Sequence, residues 1–213
     1  NSFDNRKGSN FGISGGDEIL INYVKALIKK KFNVRIITWE KGKNILTRFN
    51  IEDKYITSYK SFFFHKFGFV IFYIYRIIAG IFLALKIEIN SKELRNHIVF
   101  SSSDFMTDLL PALILSLRKK IKMINAIYLI APSPFSSRSP YKGIAKIKSF
   151  FYWFLQKISI KLIKEYSNGI LVCSELAIKY LKDETLKTDN FLIIHGGIDI
   201  DNLENTKKQL MNV

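Results

Sequence analysis

The chain has 213 residues, of which 48% are apolar and 14% aromatic, and 33 basic side chains oppose 18 acidic ones for a formal charge of +15. This length and apolar content exclude a chain too small or too polar to bury a core, and suit one large domain or one and a half. A lone cysteine, Cys173, excludes an internal disulfide, and no signal peptide opens the sequence, so a cytoplasmic setting is expected.

Residues 1–13 are polar and offer no strand before Ser14-Gly15-Gly16-Asp17-Glu18. Two glycines permit a tight turn with no side chain above it, so a ligand can approach the main chain closely. Asp17 and Glu18 fall in the first turn of a helix expected to run to about Lys31, where carboxylates complement the helix dipole. Ile19, Leu20, Tyr23, Val24, Leu27 and Ile28 recur at three- and four-residue spacing as its buried face. Asn33 is expected to close it ahead of a strand over 34–39. A glycine turn at a helix N-terminus is a natural place for phosphate. A βαβ unit also needs a strand in front of that turn. The sequence is therefore expected to begin after it, leaving a gap or an unpaired edge between the strands at Val34 and Ile98.

Residues 40–44 read as a loop and 49–56 as a short strand. Residues 62–89 are the most apolar part, and 67–85 is long enough to cross a bilayer with only Arg76 interrupting it. Three readings stay open there: a span, a buried helix, and a helix partly immersed in a membrane interface with Arg76 turned to headgroups. A strand over 97–101 runs into Ser102-Ser103-Asp104. Residues 105–120 form a helix with Met106, Leu109, Leu110, Leu113 and Leu117 inward, and Pro111 should kink it or confine it to the first turns. A strand over 122–129 leads to the proline-rich loop 130–140. Residues 143–166 form a long amphipathic helix, with Ile144, Ile147, Phe151, Phe154, Ile158 and Leu162 as its apolar stripe and lysines over much of the rest. A strand over 170–173 then meets Ser174, a good N-cap for a helix to 182. The strand 191–195 precedes Gly196-Gly197-Ile198-Asp199.

Strands alternating with helices imply an α/β fold, a Rossmann-like parallel sheet flanked by helices, whose carboxyl-terminal strand ends share one ligand-binding edge. The candidate substrate-binding residues at that edge are Gly15, Gly16, Asp17, Ser103, Asp104, Pro132, Ser133 and Gly197. The turns Ser102-Ser103-Asp104 and Ser174-Glu175 belong to the same set. His65, His97 and His195 lack close cysteine or carboxylate partners, so no metal site is expected. No Walker lysine follows Gly15-Gly16, and the three-glycine dinucleotide pattern is missing. Ser102 or Ser103 with Asp104 and His195 would make a hydrolase triad, but the Gly-x-Ser-x-Gly elbow is lacking. The charge calls for an anionic partner; no nucleic-acid motif is present and the aromatics lie in apolar runs, so nucleic acid is not expected.

Four stretches in this order resemble the N-terminal half of a GT-B glycosyltransferase, of the large retaining group 1 or family 4. Gly15-Gly16-Asp17-Glu18 with Lys31-Phe32-Asn33-Val34-Arg35-Ile36-Ile37-Thr38 is similar to the family's Gly-Gly-x-Glu opening and second strand. The stretch Phe100-Ser101-Ser102-Ser103-Asp104-Phe105, continuing to Asp108 and Pro111, resembles its fourth strand and acceptor-side turn. Ile170-Leu171-Val172-Cys173-Ser174 resembles its "D-x-I-x-x-V-S" stretch with Asn168 in place of Asp, and Ile193-Ile194-His195-Gly196-Gly197-Ile198-Asp199 its "V-x-x-N-G-V-D" passage.

The resemblance implies an N-terminal domain over 1–200, and over 201–213 the start of a linker to a C-terminal nucleotide-sugar domain beyond this sequence. It implies transfer of a sugar, with retention and without metal or cofactor, from a nucleotide-sugar co-substrate to a glycan or lipid-linked acceptor. In that family the first domain binds acceptor, its Gly-Gly turn approaches the donor diphosphate, and the glutamates of the E-x7-E motif lie in the second domain. Ile130 and Ala131 stand where the family often has a histidine, so no catalytic residue is assigned, and these residues alone are expected to be inactive. A membrane-peripheral location would suit a lipid-linked acceptor. Aromatic groups of 62–85 would enter the interface while lysines of 143–166 meet anionic headgroups. The alternatives are a non-catalytic α/β module binding an anionic ligand, and a membrane-anchored protein with a span at 67–85.

Overall fold

The computed structural model describes residues 14–60, 68–89, 96–136, 139, 141–183 and 190–194. The described residues divide into two compact units, one up to residue 57 and the other from 58 to 194.

In the first unit, Ser14 starts helix α1 (Gly15–Lys29) through a capping box. The Ser14 hydroxyl accepts from the Asp17 amide at 3.2 Å, and the Asp17 carboxylate accepts from the Ser14 amide at 3.0 Å and hydroxyl at 2.7 Å. The far end closes at Lys31, which adopts φ 60, while the Phe32 amide donates back to the Leu27 carbonyl. A left-handed residue so placed ends a helix by itself, and Asn33 is not the cap. Strand β1 (Ile36–Trp39) is followed by a helix, α2 (Glu40–Arg48), where a loop was expected. Leu46 anchors that helix in the core, and the Lys43 ammonium donates to Asp53 at 2.7 Å. A single 3-10 turn over Asp53–Tyr55 leads to β2 (Ile56–Tyr59), later than the strand expected over 49–56. β1 and β2 form a two-stranded sheet. Ile21, Val24, Leu46 and Ile51 are the buried centre of this unit.

The second unit contains α3 (Phe69–Lys86), β3 (Ile98–Ser101), α4 (Met106–Lys119), β4 (Lys122–Ile127), α5 (Ile144–Tyr166), β5 (Gly169–Val172), α6 (Glu175–Asp183) and β6 (Phe191–Ile193). The strands form one parallel sheet in the order β3-β4-β5-β6. Right-handed crossovers in an unreversed order place α4, α5 and α6 on one face. The inner strands supply Met123, Ile127, Ile170 and Val172, which with Leu109, Ile163 and Leu181 make a buried cluster. Among the described residues no ladder joins β1 to β3.

Among the described residues no helix is long and apolar enough to cross a membrane. α3 instead packs on α4. A Cβ added at Gly80 would lie 2.6 Å from Cγ of Pro111, so the two backbones meet where glycine leaves room. Arg118 of α4 donates to the carbonyls of Leu85 and Ile87 at the far end of α3, where a cation complements the dipole. Arg76 is half-buried. Burial pushes its guanidinium down, and the nearby Asp108 carboxylate opposes that shift. Pro111 lies in the second turn of α4 and the helix runs on to Lys119, so it neither stops nor confines it.

Two apolar faces match the expected ones in part: Met106, Leu109, Leu110 and Leu113 of α4 and Phe151 and Leu162 of α5 lie in or against the core. Leu117 of α4 is largely exposed, while Ala112, Leu115 and Ser116 are buried. On α5 the inward residues are Gln156, Ser159, Ile160 and Ile163, whereas Ile147, Phe154 and Ile158 are exposed. The stripe read from the sequence mixed two faces because α5 has apolar residues on two sides.

Candidate functional site

The carboxyl ends of β3 and β4 open into the turn 102–105 and the loop 128–136. A polar cluster holds both. Ser103, Asp104 and Gln156 are only 2%, 4% and 3% exposed. The Gln156 amide, reaching from the middle of α5, donates to the Asp104 carboxylate at 2.7 Å and to the Leu129 carbonyl at 2.7 Å. Its oxygen accepts from the Ala131 amide at 2.7 Å. One side chain therefore fixes the exits of two strands.

Asp108, in the first turn of α4, accepts from the hydroxyls of Ser103 at 2.6 Å and Ser102 at 3.0 Å. Ser103 Oγ in turn accepts from the Phe105 amide at 3.3 Å, and the buried Tyr73 hydroxyl accepts from the Met106 amide at 3.2 Å. These bonds satisfy the amides that open α4. Burial moves Asp104 up to about 6, against the lowering bond from Gln156, and the charge of Asp108 adds to the rise. Burial likewise lifts Tyr73 to about 12 and raises Tyr152.

Ser103, Asp104, Pro132 and Ser133 thus meet at one edge of the parallel sheet. Ser103 and Asp104 face inward beneath it, and the exposed Pro132 and half-buried Ser133 lie at its rim. Gly15, Gly16 and Asp17 belong to the first unit. Both glycines are the opening residues of α1, not a turn ahead of it, and nothing lies within 4 Å of a Cβ built on Gly15. The Asp17 carboxylate is engaged by Ser14, so what this helix start offers is its first main-chain amides. Gly197 lies outside the described residues, as do His195, Gly196 and Asp199.

The other motif positions serve the fold. Asn168 accepts from the Met123 amide at 2.9 Å at the amino end of β5. Ser174 caps α6, accepting from the Ala177 amide at 3.2 Å. Cys173 is half-buried and burial pushes its thiol up, away from reactivity. A depression lined by Ile98, Lys122, Ile124, Ser167, Asn168 and Asn190 lies at the amino ends of the strands. Parallel α/β sheets place ligands at the opposite edge. His97 also precedes β3, away from Ser103 and Asp104.

Gln156 escaped the sequence reading. Its only signal there is a polar residue within an apolar helical run, and that becomes informative only once the inward face is known. Chemically, the edge combines a hydroxyl-bearing rim with a buried acid, and its hydroxyl–carboxylate pairs are those of Ser102 and Ser103 with Asp108. Also among the described residues, no three His, Cys, Asp or Glu side chains are grouped to hold a metal ion. No protein-family model, curated protein or solved structure matches the chain significantly.

Proposed function

We propose that this chain is the acceptor-side portion of a retaining GT-B glycosyltransferase, moving a sugar from a nucleotide-sugar to a lipid-linked or glycan acceptor at the cytoplasmic face of a membrane. The observation that carries this reading is where the motif pieces fall. Gly15-Gly16 opens a helix, Ser102-Ser103-Asp104 follows β3, and Ser174 follows β5, in the chain order of the resembling motifs. Main-chain amides at the start of α1, where Gly15 is exposed, suit a diphosphate, and a rim of hydroxyls suits a sugar or polyol acceptor. In such a cleft, positioning and stabilisation of the leaving diphosphate supply most of the rate.

The test is release of nucleoside diphosphate by the full-length protein from UDP-, GDP-, ADP- and dTDP-sugars, with and without a membrane lipid extract. Expected is release with one donor that rises with extract and persists in EDTA. The burial of Ser103 and Asp104 favours a second reading, a non-catalytic module binding an anionic ligand. Saturable donor binding without release, in every extract, would replace the first reading by the second.

A further inference from the structure

We propose that the first half of α5, with the loop after β4, is a docking surface for an anionic lipid bilayer. This deepens the reading above by naming the surface and its partner. It rests on the membrane-facing part of that reading alone, since docking requires no glycosyl transfer.

The geometry is specific. Phe135 is 68% exposed, Ile147 69% and Phe154 49%. Phe135 and Phe154 belong to one aromatic cluster, in which the Phe135 ring lies 5.5 Å from Phe150 and 6.3 Å from Trp153, and Phe150 stacks on Phe154 at 6.1 Å. Exposed apolar residues scattered singly are ordinary, but a contiguous aromatic patch marks a contact surface. Ile147, Phe150, Phe154 and Ile158 follow helical spacing, so they line a second apolar stripe beside the one turned to the core. A helix serving only its own domain needs one.

Charge selects the occupant. The Lys146 ammonium lies 6.0 Å from the Phe135 ring, and Lys157 lies 6.0 Å from the Trp153 ring. Lys148 and Lys161 are exposed on the same helix, and the sequence has no carboxylate from Leu109 to Lys164. Phenylalanine and tryptophan at the surface, flanked by lysines whose stems run along them, are the makeup of helices lying in the headgroup region. A second copy of a +15 chain would bring like charge to the same patch. Nucleic acid would engage the lysines and leave the exposed Leu129 and Ile147 in water. The outward face of α3, with Ile71, Ile74, Ile78 and Phe82, is apolar too, but Arg76 on that helix is half-buried. Phe62, Phe63, Phe64 and Phe67 of the expected segment lie outside the described residues, and the aromatic cluster belongs to α5 and the 128–136 loop. That loop also forms the rim of the candidate site, so a lipid-linked acceptor would meet it at the bilayer surface.

Co-sedimentation of the full-length protein with phosphatidylcholine vesicles, alone or mixed with phosphatidylglycerol, tests the proposal. Binding should require the anionic lipid and weaken in high salt. It should fall roughly tenfold or more in Phe150→Ser/Phe154→Ser, and about fivefold for each of Lys146→Gln and Lys148→Gln. In a Trp39→Phe background, Trp153 emission should shift to the blue on vesicle addition. Ile74→Ser/Ile78→Ser should bind as the parent does. Unchanged melting curves establish that the variants fold. Full recovery of the parent protein in the supernatant, or undiminished binding by the Phe150→Ser/Phe154→Ser variant, overturns the proposal. Aromatic-dependent binding to single-stranded RNA without vesicle binding would transfer the surface to nucleic acid. None of these results bears on donor turnover, which is measured separately.

Discussion

Asp104 shows how a single buried carboxyl at the sheet edge costs stability. Its folded-state value of about 6 lies above the ordinary 3.8, so the native state holds the proton more tightly than the unfolded chain does. Between those two values stability therefore falls as pH rises, and above about 6 the full cost of roughly 2–3 kcal/mol is present. Asp104→Asn keeps an oxygen to accept from Gln156 and removes the charge. Thermal melts should show the variant more stable than the parent at neutral pH and nearly equal near pH 4. A variant less stable at neutral pH would mean that the carboxylate is favoured where it lies. Gln156→Leu should act in the opposite direction, because it strips partners from Asp104, Leu129 and Ala131 together. A loss of about 2–4 kcal/mol in urea denaturation is expected, as for other buried polar groups left unsatisfied. Of this cluster, Ser103 and Asp104 were legible as residues that follow a strand. Gln156 was not, since its role depends on which way a helix faces.

Elements were legible where one periodicity dominated. α1 and α4 follow three- and four-residue spacing and lie within two residues of the expected bounds. α2 was missed because Leu46 alone is buried on it and Gly42 and Asn44 read as loop residues. α5 was placed correctly and its face in part: Phe151 and Leu162 pack on the core, whereas Ile147, Phe154 and Ile158 lie on a second apolar stripe. The join between α3 and α4 was invisible in the sequence, where Gly80 and Pro111 stand far apart, yet it makes a sharp prediction. Gly80→Ala would ordinarily stabilise a helix by about 1 kcal/mol. Here the added Cβ falls 2.6 Å from the Pro111 ring, and the crowding should reverse the sign to a loss of about 1–3 kcal/mol. A lower urea midpoint with unchanged slope is the expected signature, and a raised midpoint would mean that the helices separate without cost.

At the scale of the whole molecule, the two units differ in what protects their strands. β4 and β5 each have a paired neighbour on both sides and carry Met123, Ala126, Ile127, Ile170 and Val172 in the interior. The cluster around them draws on α3, α4, α5 and α6 as well. Among the described residues β1 has one partner, β2, and its unit rests on Ile21, Val24, Leu46 and Ile51. Cooperative opening follows the apolar surface and hydrogen bonds that must be given up, so the two sheets should open at different free energies. Native-state hydrogen exchange of the full-length protein should find amides of residues 36–39 exchanging at least about tenfold faster than those of 123–127 and 170–172. Small additions of denaturant should widen access to the first group before the second. Exchange of both groups at one free energy, with one dependence on denaturant, would show that the sheets open together and that the smaller core gains its stability from the larger.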